Sequence, residues 1–245
     1  MTTVKSTLFV ALILVGVGCM VQQIPAGTIL PLQLETSLNS ARVRVGDRVK
    51  ARVMQNVPIK GRLNLRAGSK ILGRIVSVSR STSGPSEISL RFDIAAAGKH
   101  NSAISTDLRA LASPMDVEEA QIPASSPDRG TSEADWVTEQ IGGETAYHGS
   151  VVTHGNRVVG KYGMEGALVQ VSELAGSSCR GDLGNDQIQA LWVFSSDACG
   201  IYGLRNLAIQ HAGTSDPVGK IQLRSESGPV KVPAGSGMLL RVVSP

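Results

Sequence analysis

Few side chains in this sequence are of the types that perform chemistry, and they are not spaced as a reactive centre. His148 and His154 stand six residues apart with no cysteine or carboxylate at the spacing of a metal-ligand set, so we interpret them as loop histidines. No Gly-x-Ser-x-Gly turn marks a serine nucleophile, and no feature distinguishes a glycosidase pair among the carboxylates. We therefore expect no catalytic residue, no cofactor and no metal, and we expect the protein not to be an enzyme.

Cys19 stands at the end of a segment with the order of an export signal. Lys5 supplies positive charge, residues 8–17 form an apolar run too short for a stable membrane anchor, and the small Gly18 precedes the cysteine. The letters VGVGC at 15–19 resemble a bacterial lipobox, in which the signal is cut before the cysteine and the thiol carries lipid. The resemblance implies lipidation of Cys19.

The expected location follows from this segment. Residues 1–18 would be the signal peptide, and lipid on Cys19 would hold the mature protein on a membrane surface without a spanning helix. Met20 stands where an aspartate would mark retention in the inner membrane, so we expect the outer membrane, facing the periplasm. The alternative is ordinary signal cleavage near Ala26, which would discard Cys19 and give a secreted protein.

The two remaining cysteines predict a disulfide. In an exported chain, a leftover pair such as Cys179 and Cys199 is typical of one disulfide. Closing a loop of about 20 residues would stabilise the fold by roughly 3 kcal/mol in the chain-entropy estimate. The alternative is two buried thiols. No Cys-x-x-Cys is present, so neither zinc binding nor a redox motif is indicated.

Charge is distributed unevenly along the chain. Residues 24–112 contain 14 Lys and Arg against 5 Asp and Glu, residues 113–147 contain 1 against 8, and the rest is nearly balanced. A basic segment can attract an anionic surface, or its cations can simply occupy the solvent faces of strands. Aromatic residues do not interleave with the cations, so we do not expect nucleic-acid binding. The candidate contact surface for an anionic cell-wall polymer or an envelope partner consists of Lys50, Arg52, Arg74 and Arg91.

Alternation of apolar and polar residues predicts strands through most of the chain. At 49–53 valine and alanine alternate with lysine and arginine, and a second alternating run occupies 88–94. In that second run, one buried face is predicted for Ile88, Leu90, Phe92 and Ile94. A phrase ending in Ala-Gly-Ser/Thr recurs at 24–28, 65–69 and 232–236, and its composition predicts a β-turn that leads into a strand.

The fold class predicted is all-β: a small barrel or sandwich followed by a second, disulfide-stapled β-domain. We expect the first domain over residues 19–112 and the second over residues 136–245. Between them, residues 113–135 are acidic and rich in proline and serine, which is typical of a linker. Residues 114–121 could form one short helix.

Several short phrases of the basic segment carry a family resemblance. They are AGTILP at 26–31, LETSLNS at 34–40, VKARV at 49–53 and LRAGSKILG at 65–73. In this order they resemble the start of the TrbI-like barrel of type IV secretion and conjugation scaffold proteins. Those scaffolds carry an N-terminal membrane-spanning helix and a proline-rich arm, so the resemblance implies a barrel module and not the scaffold itself. Residues 190–200 are similar to secreted bacterial proteins without known activity.

These observations lead to a non-catalytic cell-envelope lipoprotein with a structural or binding role. The first alternative is a subunit of a secretion-like or conjugation-like envelope complex, in which the chain would be an oligomer. Another is a cell-wall hydrolase. A carbohydrate-binding module is the last, and it needs Trp136 or Trp192 exposed on a flat face. We interpret Trp192 and Phe194 as core residues of the second domain.

Overall fold

A computed structural model of the chain shows a fold built almost wholly from β-strands. The residues it describes are 23–59, 64–98, 100–121, 135–148, 151–154, 157–163, 166–170, 187–211 and 218–244. Within these ranges there are twenty strands and one helix, which confirms the all-β prediction.

The elements follow one another along the chain without a second helix in the described ranges. In order they are β1 (Ile29–Leu34), β2 (Leu38–Asn39), β3 (Arg48–Val53), β4 (Val57–Pro58), β5 (Asn64–Leu65), β6 (Lys70–Ser79), β7 (Ser86–Ala97), β8 (His100–Ala103), β9 (Ser105–Ala112), α1 (Pro114–Gln121), β10 (Asp135–Gln140), β11 (Gly143–His148), β12 (Val151–His154), β13 (Arg157–Gly163), β14 (Gly166–Gln170), β15 (Ile188–Trp192), β16 (Gly200–Tyr202), β17 (Leu207–Gln210), β18 (Ile221–Ser225), β19 (Lys231–Val232) and β20 (Gly237–Ser244).

Ten of these strands form a large sheet that curls into a nearly closed barrel. Its order is β16-β9-β20-β1-β3-β6-β7-β18-β17, with β8 attached to β7. Only the β16–β9 pairing within this sheet is parallel. The strands at the two ends of the series, β16 and β17, lie beside each other without forming a ladder. The barrel, one of the two forms predicted, is therefore confirmed as a barrel-like sheet, and this sheet contains strands from both predicted domains.

Six strands, β10 to β15, form a second sheet in which each strand pairs with the next one along the chain. At its end Trp192 adopts a left-handed φ of 53°, which is unusual for a bulky residue and accompanies a change of chain direction. The chain beyond it then bridges the start of the sheet, because Ile141 N donates to Val193 O at 3.0 Å and Ser195 N donates to Ile141 O at 3.0 Å. We call this second sheet the meander.

The two sheets are joined by an apolar layer and by buried glutamines. Outward-facing side chains such as Ile29 and Leu239 of the barrel pack with Leu191 and Phe194 of the meander. The Gln55 amide crosses the junction, since Trp192 N donates to its Oε1 at 2.6 Å and its Nε2 donates to Ala167 O at 3.1 Å. Because buried amides need such partners, these bonds fix how the meander sits on the barrel.

Strand pairing crosses the boundary that the composition suggests at residues 113–135. β18 and β20 lie in the predicted second domain, yet β18 pairs with β7 and β20 pairs with both β1 and β9. The meander is thus inserted between strands of one barrel. The predicted disulfide of the second domain is not shown: Cys179 lies outside the described residues, so its pairing with Cys199 stays a prediction.

The recurring turn phrase behaves as predicted. In each copy the residue before the strand donates its backbone N–H three residues back: Thr28 to Pro25, Ser69 to Arg66, and Ser236 to Pro233. The preceding glycine has a φ of 84°, 85° and 91° in the three turns. This conformation suits glycine, and the turns lead into β1, β6 and β20.

The short helix predicted at residues 114–121 is confirmed as α1. It begins with a capping pair, because Asp116 N donates to Ser113 Oγ at 3.2 Å and Ser113 Oγ donates to the Asp116 carboxylate at 2.6 Å. Pro114 at the first helical position lacks an N–H that would otherwise go unpaired. The first part of the predicted linker is therefore an ordered helix.

Candidate anion-contact face

The four cations predicted as a contact surface come together on one outer face of the barrel. β3 exposes Arg48, Lys50 and Arg52 and buries the residues between them. β6 lies beside β3 in the sheet and β7 lies beside β6, and both add further cations. We define the cationic face as the outward side chains of Arg48, Lys50, Arg52, Lys70, Arg74 and Arg91.

Pairing registers place like charges opposite one another on this face. Arg74 of β6 stands opposite Arg48 of β3 on one side and opposite Arg91 of β7 on the other. A second row joins Arg52 to Lys70. Like charges directly opposite in adjacent strands repel and destabilise a sheet, so the arrangement does not serve stability.

One carboxylate ion-pairs with the cationic face in the part of the chain that the structure describes. Asp93 accepts from Arg74 Nη1 at 2.5 Å, and its other oxygen lies 3.8 Å from Arg91 Nε. Arg52 instead donates to the neutral Gln33 amide at 2.6 Å. The Arg74 and Arg91 side chains remain 54% and 42% exposed, so both stay accessible to a partner.

A β-bulge gives the cationic face an apolar centre. Leu72 of β6 pairs with Ile94 of β7, but the next residue, Gly73, pairs with Phe92, which leaves Asp93 as the extra residue. The bulge reverses the alternation, so Phe92 is buried while Ile94 is 36% exposed. The prediction that Ile94 shares the buried face of Phe92 is therefore wrong.

Glycine at position 73 is what allows this bulge. A Cβ atom at that position would lie 2.0 Å from the Arg91 carbonyl oxygen, a contact that no side chain tolerates. Leu72 also pairs with Lys50 on its other side, so the middle row of the face reads Lys50, Leu72, Ile94 across three strands. The apolar pair is thus flanked by rows of cations.

Sequence reasoning missed Arg48, Lys70 and the apolar pair. Arg48 alternates with Lys50 and Arg52, and Lys70 precedes Arg74 on a strand, so period-two alternation alone was enough to add both cations. Leu72 shares the alternation of Lys70 and Arg74, whereas Ile94 carried no such signal, because its exposure depends on the bulge.

The other outer face of the barrel carries a second cluster of charges, and this one is buried. Arg109 is 1% exposed; its Nε donates to Ala198 O at 3.0 Å and one Nη donates to Ser196 O at 3.3 Å. Burial, together with the nearby Arg241 charge, lowers the pKa of Arg109 to about 10. This cluster holds the turn at 195–199 against β9.

Asp107 and Arg241 stand opposite each other on β9 and β20 in the same buried region. Arg241 Nη2 lies 3.6 Å from the Asp107 carboxylate. Burial raises the pKa of Asp107 to about 6, although the Arg241 guanidinium and the Gly219 backbone N–H act in the opposite direction. We call Arg109, Asp107 and Arg241 the buried charge cluster.

The remaining predicted residues fall in different places. Cys19 and Cys179 lie outside the described residues, whereas Cys199 N donates to the Tyr202 hydroxyl at 2.9 Å. Trp192 and Phe194 are 6% and 0% exposed, which confirms the core interpretation and removes Trp192 as a sugar-stacking platform. The Trp136 side chain lies outside the described part, so its role in carbohydrate binding stays untested.

Carboxylates meet in a groove between α1 and the meander. Its volume is about 260 Å³, and its lining includes Asp116, Glu119 and Glu139. Asp116 is already bonded to Ser113 in the helix cap, and the other two are exposed. Among the described residues no group of His, Cys, Asp or Glu could hold a metal ion, and no helix is long and apolar enough to cross a membrane.

Comparisons with known proteins give this chain no family. No protein-family model matches it, and no curated protein is similar to it.

Proposed function

We propose that this protein is a non-catalytic component of the bacterial cell envelope that contacts an anionic partner through the cationic face. The observation that carries the proposal is the pair of like-charge rows, Arg48–Arg74–Arg91 and Arg52–Lys70. Among the described residues Asp93 is the one carboxylate that ion-pairs with them, and it pairs only with Arg74 and Arg91. An array that weakens its own sheet is expected where an external anion supplies the missing charge.

The proposed location rests on the first residues of the chain. Lipid on Cys19 would anchor the mature protein to the outer membrane on its periplasmic side. Replacing Cys19 by serine is expected to move the protein from the membrane fraction to the soluble fraction. Unchanged membrane association of Cys19→Ser would argue for a different anchor.

Binding to long-chain polyphosphate, an anionic polymer without apolar groups, tests the cationic face. We expect the triple variant Lys50→Gln, Arg52→Gln and Arg74→Gln to lose most of its affinity. The wild-type affinity should also fall steeply with salt, because exposed charges are screened over about 10 Å at ~0.1 M ionic strength.

A matched triple variant controls for net charge. Lys161, Arg205 and Lys231 are exposed cations in other parts of the fold, and replacing all three by glutamine removes the same charge. This variant should bind polyphosphate nearly as the wild type does. Equal losses in the two triple variants would show that net charge, and not the cationic face, governs binding.

A finer part of the proposal concerns the predicted disulfide. A Cys179–Cys199 bond would tie the turn at 195–199, which Arg109 also holds, to a distant segment of the chain. Reduction should then lower the free energy of unfolding by roughly 3 kcal/mol. An unaltered urea denaturation curve after reduction would remove the disulfide from the proposal.

A subunit of a larger envelope complex is the second candidate. The phrases that resemble the TrbI-like barrel include β1, β3 and β6. These three strands are neighbours in that order in the barrel sheet. A ring-like oligomer in detergent extracts, visible by electron microscopy, would favour this candidate. A monomer at high protein concentration would count against it.

A further inference from the structure

We infer that the anionic partner is a lipid surface, and that Leu72 and Ile94 enter the headgroup layer of an anionic bilayer while the surrounding cations bind its phosphates. This inference rests on the proposed function, and it specifies the partner of the same face.

The first step of the argument is the position of the apolar pair. Leu72 and Ile94 occupy the middle of three rows, between Arg48–Arg74–Arg91 on one side and Arg52–Lys70 on the other. Exposure of Ile94 follows from the bulge at Asp93, and bulges are built features that redirect a side chain. Leu72 faces outward by the regular alternation of β6, and Ile94 joins it among the cations because β7 departs from regular pairing.

The second step is the chemistry that such a surface recognises. A hydrophilic polyanion would satisfy the cations and leave the apolar pair in water. An anionic bilayer offers phosphates at the depth of the cations and apolar chains just beneath, so it complements both. The long stems of Lys50, Arg52 and Lys70 can lie along the apolar centre while their charges reach the headgroups.

The third step is the direction from which the chain enters the barrel. β1 is the neighbour of β3, and their antiparallel register places Leu32 opposite Val53 and Leu34 opposite Ala51. The start of β1 therefore points toward the Arg52 end of the cationic face. Cys19 precedes the first described residue by four positions, a reach of at most about 14 Å. An anchor there would keep the Arg52 end of the face near the same bilayer.

The experiment compares two double variants on vesicles and on polyphosphate. Leu72→Thr with Ile94→Thr removes the apolar centre and keeps residues that suit strands. Val158→Thr with Ile188→Thr is the matched control, since Val158 and Ile188 are exposed at 62% and 43% on the meander. Every protein is the mature chain from residue 19 onward with Cys19→Ser, so that neither the apolar run at 8–17 nor lipid on the cysteine contributes to vesicle binding.

Co-sedimentation with vesicles of phosphatidylglycerol and phosphatidylcholine measures lipid binding, and vesicles of phosphatidylcholine alone give the background. We expect Leu72→Thr with Ile94→Thr to weaken vesicle binding about tenfold, because partial burial of two aliphatic side chains is lost. Its polyphosphate binding should be unchanged, and the control pair should bind both probes as the parent does.

Three outcomes separate this inference from the function on which it rests. Equal vesicle affinity for the Leu72→Thr, Ile94→Thr variant and its parent would overturn the lipid inference and leave an anion-binding face intact. Stronger parent binding to polyphosphate than to anionic vesicles would overturn it in favour of a hydrophilic polymer. Absence of parent binding to both probes would refute the proposed function as well.

Discussion

The barrel carries two groups of charges on its outer surface, and one group is buried whereas the other is exposed. In the buried charge cluster, each of the two arginines has a defined partner: backbone carbonyls accept hydrogen bonds from Arg109, and Asp107 forms an ion pair with Arg241. On the cationic face, two of the six cations, Arg74 and Arg91, share Asp93 as their ion-pair partner in the described residues. The turn at 195–199 lies over Arg109, and the Gly219 backbone N–H reaches Asp107, whereas the cations of the second group are exposed to solvent. The comparison teaches that the buried cations hold parts of the fold together, whereas the exposed cations of the cationic face are the ones that the proposed function assigns to a partner.

The largest effect should come from removing Arg109. We expect Arg109→Met to lower the free energy of unfolding by about 3 kcal/mol or more, because the Ala198 and Ser196 carbonyls would lose a buried, charged donor. Urea denaturation measures the change. Arg48→Met, an exposed arginine of the same barrel, is the control and should stay within ~0.5 kcal/mol of the wild type. A similarly small loss of unfolding free energy for Arg109→Met and Arg48→Met would contradict the distinction between the buried charge cluster and the cationic face.

An intermediate effect is expected from the titration of Asp107. Its pKa of about 6 in the folded protein lies above the ordinary value of 3.8, so the folded state holds a proton that the unfolded chain releases between these values. The stability from this group is therefore complete below pH 3.8 and is lost as the pH rises through about 6. The charged side chains that act on the Asp107 carboxyl are those of Arg241 and His211.

Urea denaturation between about pH 5 and about pH 7.5 tests this titration. The wild type should lose on the order of 1 kcal/mol of stability over that interval, and Asp107→Asn should lose less. Parallel profiles for Asp107→Asn and the wild type would mean that the buried cluster does not titrate in this range.

The smallest effect concerns the cationic face itself. Arg48 opposes Arg74, so Arg48→Thr should raise the free energy of unfolding by a few tenths of a kcal/mol at low salt. The gain should vanish at high salt, where the repulsion is screened in the wild type too. Thermal unfolding at two salt concentrations measures it. A loss of stability at low salt would show that Arg48 contributes to the fold after all.

Local features of the fold were predictable from the sequence, and distant pairings were not. Alternation at 49–53 predicts β3 and its outward cations, and the Ala-Gly-Ser/Thr phrase predicts the turns before β1, β6 and β20. Ser113 and Pro114 likewise suit the start of α1. Each of these signals lies within a few residues of the element that it predicts.

Three features lay beyond local reasoning. β20 pairs with β1 and β9, which lie far from it in the sequence, and no local pattern indicates these pairings. The linker-like composition at 113–135 therefore suggests two separate domains. The bulge at Asp93 depends on Gly73 in the neighbouring strand, and only their meeting exposes Ile94. Arg109 resembles any surface arginine until the turn at 195–199 covers it. These outcomes are set by tertiary partners and not by periodicity.

The position of β20 has a consequence for how the molecule matures. This strand, residues 237–244, is the last element of the described chain, and it lies in the middle of the large sheet between β9 and β1. Ribosomes produce it after every other described strand, so the earlier strands of the barrel keep exposed edges until it arrives, and assembly should be slow. Deletion of residues 237–244 would divide the barrel at its centre, which makes this strand a poor place for truncation.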